Sequence, residues 1–153
     1  MSVAERIPWH GRVRVTTRYR DGRVEEEEFD NLITNAGKNL LRDALDGMVS
    51  DCAIKYLAWG NGAVAPADGD VALGNELGRK TVTKQQTGTA GVLTTTVYLA
   101  PYEANVQIQE LGWFAGAGAT AAAGSGVLVA RVLYAKLKTD LESIQIDRVD
   151  TIG

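Results

Sequence analysis

The stretch Asn-Leu-Ile-Thr-Asn-Ala-Gly-Lys-Asn-Leu-Leu-Arg-Asp-Ala-Leu-Asp-Gly, residues 31–47, carries the clearest helical pattern in this chain of 153 residues. The side-chain oxygen of Thr34 or Asn35 can accept a hydrogen bond from a free N–H group of the first helical turn. Apolar residues then recur at helical spacing and form one stripe: Ala36, Leu40, Leu41, Ala44 and Leu45. Gly47 follows and can adopt the left-handed conformation that ends many helices. The pattern predicts one short helix at about residues 35–46.

Strand-forming segments surround this helix on both sides. The stretches rich in β-branched or alternating apolar residues are 12–20, 23–29, 53–59, 77–87, 92–100, 106–114, 127–134 and 143–152. Regularly spaced strands with glycine-rich turns and one helix predict a mainly β fold, an antiparallel β-sandwich of jelly-roll-like or Greek-key type. A closed barrel is the alternative. We expect residues 12–153 to form this single domain and residues 1–11 to form an N-terminal arm.

The segment 12–30 is predicted to form an N-terminal β-hairpin. Asp21-Gly22 is typical of a two-residue turn, which requires positive φ angles at both central positions. In the register that this turn sets, Arg18 faces Glu25, and arginines and glutamates form a ladder of opposite charges on one face. The other face then carries Val13, Val15, Tyr19, Glu26 and Glu28. Since a closed core does not accept two unpaired carboxylates, we expect either a β-bulge or a contact between this face and another chain.

The residues ahead of the hairpin form the predicted anchor for such a contact. Ile7-Pro8-Trp9 precedes the first strand, and a tryptophan in this place can be buried in a neighbouring subunit. Shared or swapped strands of this kind also protect exposed sheet edges. The residues predicted to lie in the interface are Ile7, Trp9, Val13, Val15, Tyr19, Glu26 and Glu28.

Two loops, 60–70 and 115–126, contain many turn-forming residues. Together with nearby aromatic residues they could form a tip that binds a sugar, because aromatic rings provide flat apolar platforms. The residues predicted for this tip are Trp59, Asn61, Asp68, Asp70 and Tyr102. Trp59 lies in a segment that otherwise has the pattern of core, so packing is its alternative role. Glu76 and Arg79 are expected to form a structural ion pair or to contact a neighbouring chain.

The sequence predicts no catalytic residue, no metal site and no cofactor. His10 is the single histidine, and a surface or packing role suits its place ahead of the first strand better than catalysis. Cys52 has no basic neighbour that would activate it as a nucleophile. Asp68 and Asp70 lack the spacing of a helix–loop–helix calcium site. The acidic run 25–28 alternates between two strand faces, which predicts a solvated or arginine-paired surface instead of the acid pair of a glycosidase.

Composition limits the class of partner and the location. The formal net charge of −3 provides no basic field that would hold nucleic acid. No apolar run reaches the roughly 18 residues that a membrane span requires. The first residues lack the apolar core of a signal peptide, and a single cysteine cannot form an internal disulfide. These features favour folding in a reducing cytoplasm.

Five short segments occur in a characteristic order along the chain. They are Asn-Leu-Ile-Thr-Asn-Ala-Gly-Lys-Asn (31–39), Ala-Trp-Gly-Asn-Gly (58–62), Leu-Gly-Asn-Glu-Leu-Gly-Arg (73–79), Glu-Leu-Gly-Trp-Phe (110–114) and Leu-Val-Ala-Arg (128–131). The ordered set resembles small bacteriophage tail-fibre and baseplate-associated virion proteins. The resemblance covers residues 31–135 and leaves residues 1–30 uncovered.

The resemblance implies a non-enzymatic virion structural protein of the tail fibre or baseplate that acts in assembly and attachment. Its partners would be other tail or baseplate proteins and further copies of itself, with a trimer among the expected states. The protein would be located in the virion after assembly in the cytoplasm of the host bacterium. A capsid decoration protein and a recognition module that binds a host-surface glycan are the alternatives.

Overall fold

The computed structural model describes residues 8–153, which form nine β-strands and one α-helix. The strands are β1 (Trp9–Tyr19), β2 (Val24–Ile33), β3 (Ile54–Gly60), β4 (Glu76–Thr81), β5 (Lys84–Thr87), β6 (Val92–Leu99), β7 (Gln107–Ala115), β8 (Val127–Leu137) and β9 (Glu142–Ile152). The helix, α1 (Asn35–Leu45), lies between β2 and β3. Within the described residues, no helix is both long and apolar enough to cross a membrane.

All strand pairs are antiparallel, and the strands follow the order β4-β3-β7-β8-β2-β1-β9-β6-β5. β2 joins the two halves of this order, since its residues 24–31 pair with β1 while Leu32 and Ile33 pair with β8. The curled sheet encloses a core to which both halves contribute. The mainly β antiparallel fold and the single short helix that the sequence predicts are confirmed.

The core is built from alternate residues of the strands, because successive side chains of a strand point to opposite faces. The half that contains β1, β6 and β9 contributes Val13, Val15, Val97, Leu99, Ile144 and Ile146. The half that contains β3, β7 and β8 contributes Leu57, Ile108, Leu111, Trp113, Val132 and Tyr134. A second, smaller cluster packs on the opposite side of β3 and β7: Ala58, Leu73, Phe114, Ala119 and Leu128.

The helix lies where the sequence predicts it. Thr34 caps the first turn, because its Oγ1 accepts a hydrogen bond from the N–H group of Gly37 at 2.9 Å. Gly47 has a φ angle of +80°, as a left-handed helix ending requires. The predicted apolar stripe is divided between two environments, since Leu40 packs against the core and Leu45 is 81% exposed.

The predicted turn of the N-terminal hairpin is wrong by one residue. The N–H group of Tyr19 donates to the carbonyl oxygen of Arg23 at 2.9 Å, so three residues, 20–22, form the turn. Gly22 has a φ angle of +95°, which suits a three-residue turn that ends in a left-handed glycine. The register of the whole hairpin follows from this extra residue.

In the observed register Arg14 faces Glu28, and Val15 faces Glu27. A shift of one residue moves every side chain of a strand to the other face. The expectation that Glu26 and Glu28 share a face with Val13 and Val15 is therefore wrong. Glu25 and Glu27 lie on that face instead, and both side chains are exposed.

Two further strand predictions need correction. The pattern of residues 77–87 predicts one strand, but the segment divides at residues 82–83. Its first part is β4, which pairs with β3, and its second part is β5, which pairs with β6. The chain thus crosses from one half of the sheet to the other at this point. β1 begins at Trp9, so residues 9–11 belong to the sheet and not to an arm. Ile7 lies outside the described residues.

Candidate functional site

A buried ion pair holds both ends of the loop 61–75, which connects β3 to β4. Glu110 in β7 and Arg131 in β8 are 0% and 3% exposed, and their side chains meet at 2.7 Å. The Glu110 carboxylate also accepts hydrogen bonds from the backbone N–H groups of Gly62, Gly74 and Asn75. One carboxylate therefore fixes the beginning and the end of the loop.

Arg131 holds the middle of the same loop. Its guanidinium group donates to the carbonyl oxygen of Val64 at 2.8 Å and to the carboxylate of Asp70 at 3.2 Å. The loop also contacts the start of α1, where the N–H group of Asn35 donates to the carbonyl oxygen of Asp68 at 2.8 Å. The loop 61–75 is thus fixed at both ends, in its middle and against the helix.

The surroundings of Glu110 favour its charged form. Burial raises the pKa of Glu110, but the N–H groups of Asn75 and Gly74 and the guanidinium of Arg131 lower it more, so the pKa lies below its ordinary value. A carboxylate that is already bonded on both oxygens is poorly suited to accept a proton from a substrate. Glu110 therefore acts as a charged anchor.

A second ion pair fixes the loop 116–126, which connects β7 to β8. Arg79 and Glu76 in β4 meet at 2.7 Å, which confirms the ion pair that the sequence predicts. The Arg79 guanidinium lies 4.3 Å from the ring centroid of Phe114 and donates to the carbonyl oxygen of Ser125 at 3.0 Å. Glu76 in turn accepts from the N–H group of Gly124 at 3.1 Å. The loop is thereby folded back over the second cluster.

The five ordered segments quoted from the sequence meet in this region. The first segment bonds to β8 through Thr34, whose hydroxyl donates to the carbonyl oxygen of Leu128. The second and third segments form the two ends of the loop 61–75, and the last two supply Glu110 and Arg131. The five segments consequently contain residues that position two loops and the helix.

The residues predicted for a sugar-binding tip have different environments. Trp59 is partly buried and packs against the core, and Asp70 binds the buried guanidinium described above. Of the five residues, only Asn61, Asp68 and Tyr102 are exposed. Tyr102 belongs to the connection 100–106 between β6 and β7, outside both of the loops that were predicted to form the tip.

The residues predicted for an interface include both buried and accessible side chains. Val13 and Val15 are fully buried in the core of their own chain, so their assignment to a contact with a neighbour is wrong. Trp9 packs against the same core, and its Nε1 donates to Asp150 at 2.9 Å. The side chains that stay at least partly accessible are those of Tyr19, Glu26 and Glu28.

An open seam separates β2 from β8 beyond the two residue pairs that join them. Within the described residues, 24–31 of β2 pair only with β1, and 132–137 of β8 pair only with β7. One edge of each strand therefore carries unpaired backbone groups. The rings of Phe29 in β2 and Tyr134 in β8 meet edge to face across this gap, with centroids 5.6 Å apart. We call this gap the β2–β8 seam.

Apolar side chains stay exposed beside the seam. Leu133 and Leu137 of β8 are 37% and 60% exposed, and Val24 at the start of β2 is 51% exposed. Leu141, just before β9, is 54% exposed and bonds through its carbonyl oxygen to the N–H group of Arg20 in the hairpin turn. Free strand edges and exposed apolar side chains together are typical of a surface that accepts another chain.

Glu110 and Arg131 were missed at the sequence level, although a signal for both exists. Each is a charged residue inside a largely apolar strand segment, 106–114 or 127–134. A buried charge requires a partner, so two such segments predict an ion pair. A register shift between Ile108 and Glu110 turns the carboxylate away from the main core, and no local pattern reveals this shift.

Residues 8–153 contain no group of three His, Cys, Asp or Glu side chains placed to hold a metal ion. His10 and Cys52 are both exposed. Comparison of the chain with protein-family models, with curated proteins and with solved structures finds no match.

Proposed function

We propose that this chain is a non-enzymatic structural component of a bacteriophage tail fibre or baseplate, and that it assembles with other copies of itself through the β2–β8 seam. The ordered resemblance supports the class of protein. The seam supports the mode of action and is the observation on which it rests, since it combines unpaired strand edges with exposed apolar side chains.

The buried ion pairs are consistent with this structural role. A buried pair adds little net stability, but it can favour one arrangement of the groups around it. Here Glu110, Arg131, Glu76 and Arg79 hold two long loops in place. Loops that are already ordered lose little conformational entropy when a neighbour packs on them, which suits a subunit with several fixed contacts.

A second copy of this chain is the partner that the seam fits. β2 and β8 expose one edge each, so the β2 edge of one copy can pair with the β8 edge of the next in a head-to-tail contact. Contacts of this type generate a closed ring when the rotation between copies closes, and an open filament when it does not. A ring would provide the cyclic symmetry expected for a fibre or baseplate component.

Light scattering at several protein concentrations measures the mass of the purified chain and tests this mode of assembly. We expect a complex of defined copy number that persists on dilution. The double variant Leu133→Lys, Leu137→Lys places two charges on the β8 edge and should shift the mass to that of a monomer. The matched control is Val64→Lys, Val71→Lys, which adds the same charges at exposed positions of the loop 61–75 and should leave the complex intact.

Two results would contradict assembly through the seam. One is a monomer at every concentration, and the other is dissociation of both double variants, which would show that added charge alone breaks the complex. Circular dichroism spectra establish that the variants compared are folded. They must match the spectrum of the unchanged chain.

The virion assignment needs a separate experiment. The test uses phage particles whose genome encodes this chain. The particles are sedimented through a density gradient, and an antibody detects the chain. We expect it to sediment with intact particles and to label the tail in electron micrographs. Recovery from the soluble fraction alone would contradict a virion component, and labelling of the capsid shell would favour a decoration protein.

A further inference from the structure

Side chains already bridge the β2–β8 seam on its core side, although the backbone ladder between these strands stops after two residue pairs. The rings of Phe29 and Tyr134 meet across the seam, with centroids 5.6 Å apart. Farther along β8, the ammonium group of Lys136 donates a hydrogen bond to the hydroxyl of Tyr19 at 2.9 Å. That hydroxyl donates in turn to the carboxylate of Glu25 in β2 at 3.0 Å. Side-chain contacts therefore join the two strands at both of these levels.

The register of the two existing pairs determines which residues a longer ladder would align. The pairs are antiparallel, so each step back along β2 matches one step forward along β8. Continued in this way, the register places Phe29 opposite Tyr134, the two residues whose rings already meet. Two steps farther, it places Glu27 opposite Lys136. Opposite charges that face each other across two antiparallel strands stabilise their pairing.

The backbone along the seam has the alternation that this longer ladder requires. The N–H group of Thr34, which follows β2 directly, donates to the carbonyl oxygen of Val129 at 2.9 Å in the same register. Pairs that exchange backbone hydrogen bonds alternate with pairs that do not. Glu28 and Ala135, which the continued register aligns, therefore belong to the hydrogen-bonding type, and their N–H groups face the seam.

We infer that the seam has a second, closed state, in which the ladder continues from Leu32 to Glu27, and that this state competes with assembly. Closure pairs the β2 edge with the β8 edge of the same chain, so neither edge is free to pair with a second copy. A chain with a closed seam stays a monomer, and the open seam is the state that assembles. The effect on assembly rests on the function proposed above, whereas closure itself does not.

A disulfide in the continued register tests closure. Cys52, the single cysteine of the chain, is first replaced by serine. Glu27→Cys with Lys136→Cys then places two thiols directly opposite each other in the closed ladder. The matched control, Glu25→Cys with Lys136→Cys, is two positions out of register, where the Cβ atoms are too far apart for an unstrained disulfide. In a glutathione redox buffer, we expect the equilibrium constant for the first disulfide to be about tenfold higher.

Hydrogen exchange and mass report what the disulfide does. Nuclear magnetic resonance measures exchange at the backbone amides of Glu28 and Ala135. Oxidation of the in-register variant should slow exchange at both amides by about tenfold or more, because both groups gain backbone partners. Light scattering should give the mass of a monomer for the oxidised chain and the assembled mass for the reduced form of the same variant.

Equal disulfide formation in the two variants, or unchanged exchange at Glu28 and Ala135 after oxidation, would overturn closure. Assembly of the oxidised chain would overturn the competition. A reduced chain that is a monomer at every concentration would contradict the proposed assembly and with it the competition, while exchange at the two amides still decides closure.

A charge substitution decides closure if a cysteine variant fails to fold. Lys136→Glu places a like charge opposite Glu27 in the closed ladder, which opposes closure. Exchange at the amides of Glu28 and Ala135 should then be faster than in the unchanged chain at the same dilution. Lys84→Glu, at an exposed position of β5, is the control and should leave this exchange unchanged. The same exchange rates in Lys136→Glu and in the unchanged chain would overturn the inference.

Discussion

Glu110 and Arg131 show how two residues can determine the position of a long loop. Removal of one partner from a buried ion pair leaves the other charge without compensation, which costs more than the pair itself contributes. We expect Glu110→Gln to lower the free energy of unfolding by about 3–5 kcal/mol, because Arg131 stays buried and the loop N–H groups lose a charged acceptor. Urea denaturation measures the change.

The matched control for this substitution is Glu26→Gln, because Glu26 is exposed on β2. The same chemical change there should leave the free energy of unfolding nearly unchanged. A loss of less than about 1 kcal/mol in Glu110→Gln would mean that the loop 61–75 accommodates an uncharged side chain. The carboxylate would then not be the anchor that its contacts indicate.

The lowered pKa of Glu110 also predicts sensitivity to acid. A carboxyl group with a lower pKa in the folded chain stabilises the fold above its unfolded pKa, about 4.3 for glutamate, and this contribution disappears as the pH falls through the folded pKa. The free energy of unfolding should therefore fall steeply below about pH 4. The pKa values of Glu103 and Glu142 are lowered as well, so Glu110→Gln should reduce this slope without abolishing it. Urea denaturation at a series of pH values checks the expectation. If the free energy of unfolding fell equally with pH in the unchanged chain and in Glu110→Gln, the expectation would be wrong.

Among the single elements, the N-terminal hairpin shows where prediction from sequence reaches its limit. Asp21-Gly22 is compatible with a two-residue turn and also with a three-residue turn that ends in a left-handed glycine. The local sequence does not separate these possibilities. The observed register buries Val13 and Val15 and at the same time aligns β1 with β9 on its other side. Such long-range contacts determine the register.

The conformation of Gly22 gives this turn a direct test. We expect Gly22→Ala to lower the free energy of unfolding by about 1 kcal/mol, since residues with a Cβ atom are strained at its φ angle of +95°. Gly88→Ala is the control, because Gly88 lies in open space and lacks a positive φ angle. That change should be neutral or slightly stabilising. Thermal unfolding compares the variants, and equal effects would argue against the left-handed conformation of Gly22.

The helix offers a second test at the level of the element, because Gly37 packs directly on β8. Replacing glycine by alanine inside a helix ordinarily stabilises it by about 1 kcal/mol. Here the added Cβ atom would lie 2.7 Å from the carbonyl oxygen of Val129, so α1 would have to move away from β8. We expect Gly37→Ala to destabilise the chain in urea denaturation. Asn39→Ala, at an exposed position of the same helix, is the control and should slightly raise the free energy of unfolding. A similar rise in Gly37→Ala would show that α1 packs on β8 more loosely than the structure indicates.

Sequence predicted those parts of the fold that depend on neighbours along the chain. Local spacing predicts the cap of α1 at Thr34 or Asn35 and the alternation of β9. The structure has the cap at Thr34 and shows the alternation. The break between β4 and β5 at residues 82–83 is different. The residues of 77–87 suit one long strand, and only the positions of β3 and β6 in opposite halves make the chain change direction there.

The same distinction applies to the candidate site. Glu76 and Arg79 lie three positions apart, and their ion pair was predicted. The apolar strands around Glu110 and Arg131 mark each of them as a buried charge that needs a partner. That they are partners of each other depends on strand order, which no local pattern encodes.

At the scale of the whole molecule, the two halves of the sheet are joined by backbone pairing at one place within the described residues. Only Leu32 and Ile33 of β2 pair with β8, and the seam opens directly beside them. The side chains of both halves nevertheless belong to one core. Since small domains with a common core unfold cooperatively, we expect the core, and not the short ladder, to hold the halves together.

Leu57 tests this cooperativity, because it lies in β3 and is fully buried in the common core. Leu57→Ala should lower the free energy of unfolding by about 2–5 kcal/mol. Hydrogen exchange measured by mass spectrometry should then accelerate as much in β9, in the opposite half, as in the neighbouring β7. Leu45→Ala, the same change at an 81% exposed position, should alter neither the free energy of unfolding nor the hydrogen exchange of β7 and β9. Acceleration confined to β3 and β7 would show that each half is stable by itself and that the two residue pairs of β2 and β8 merely connect them.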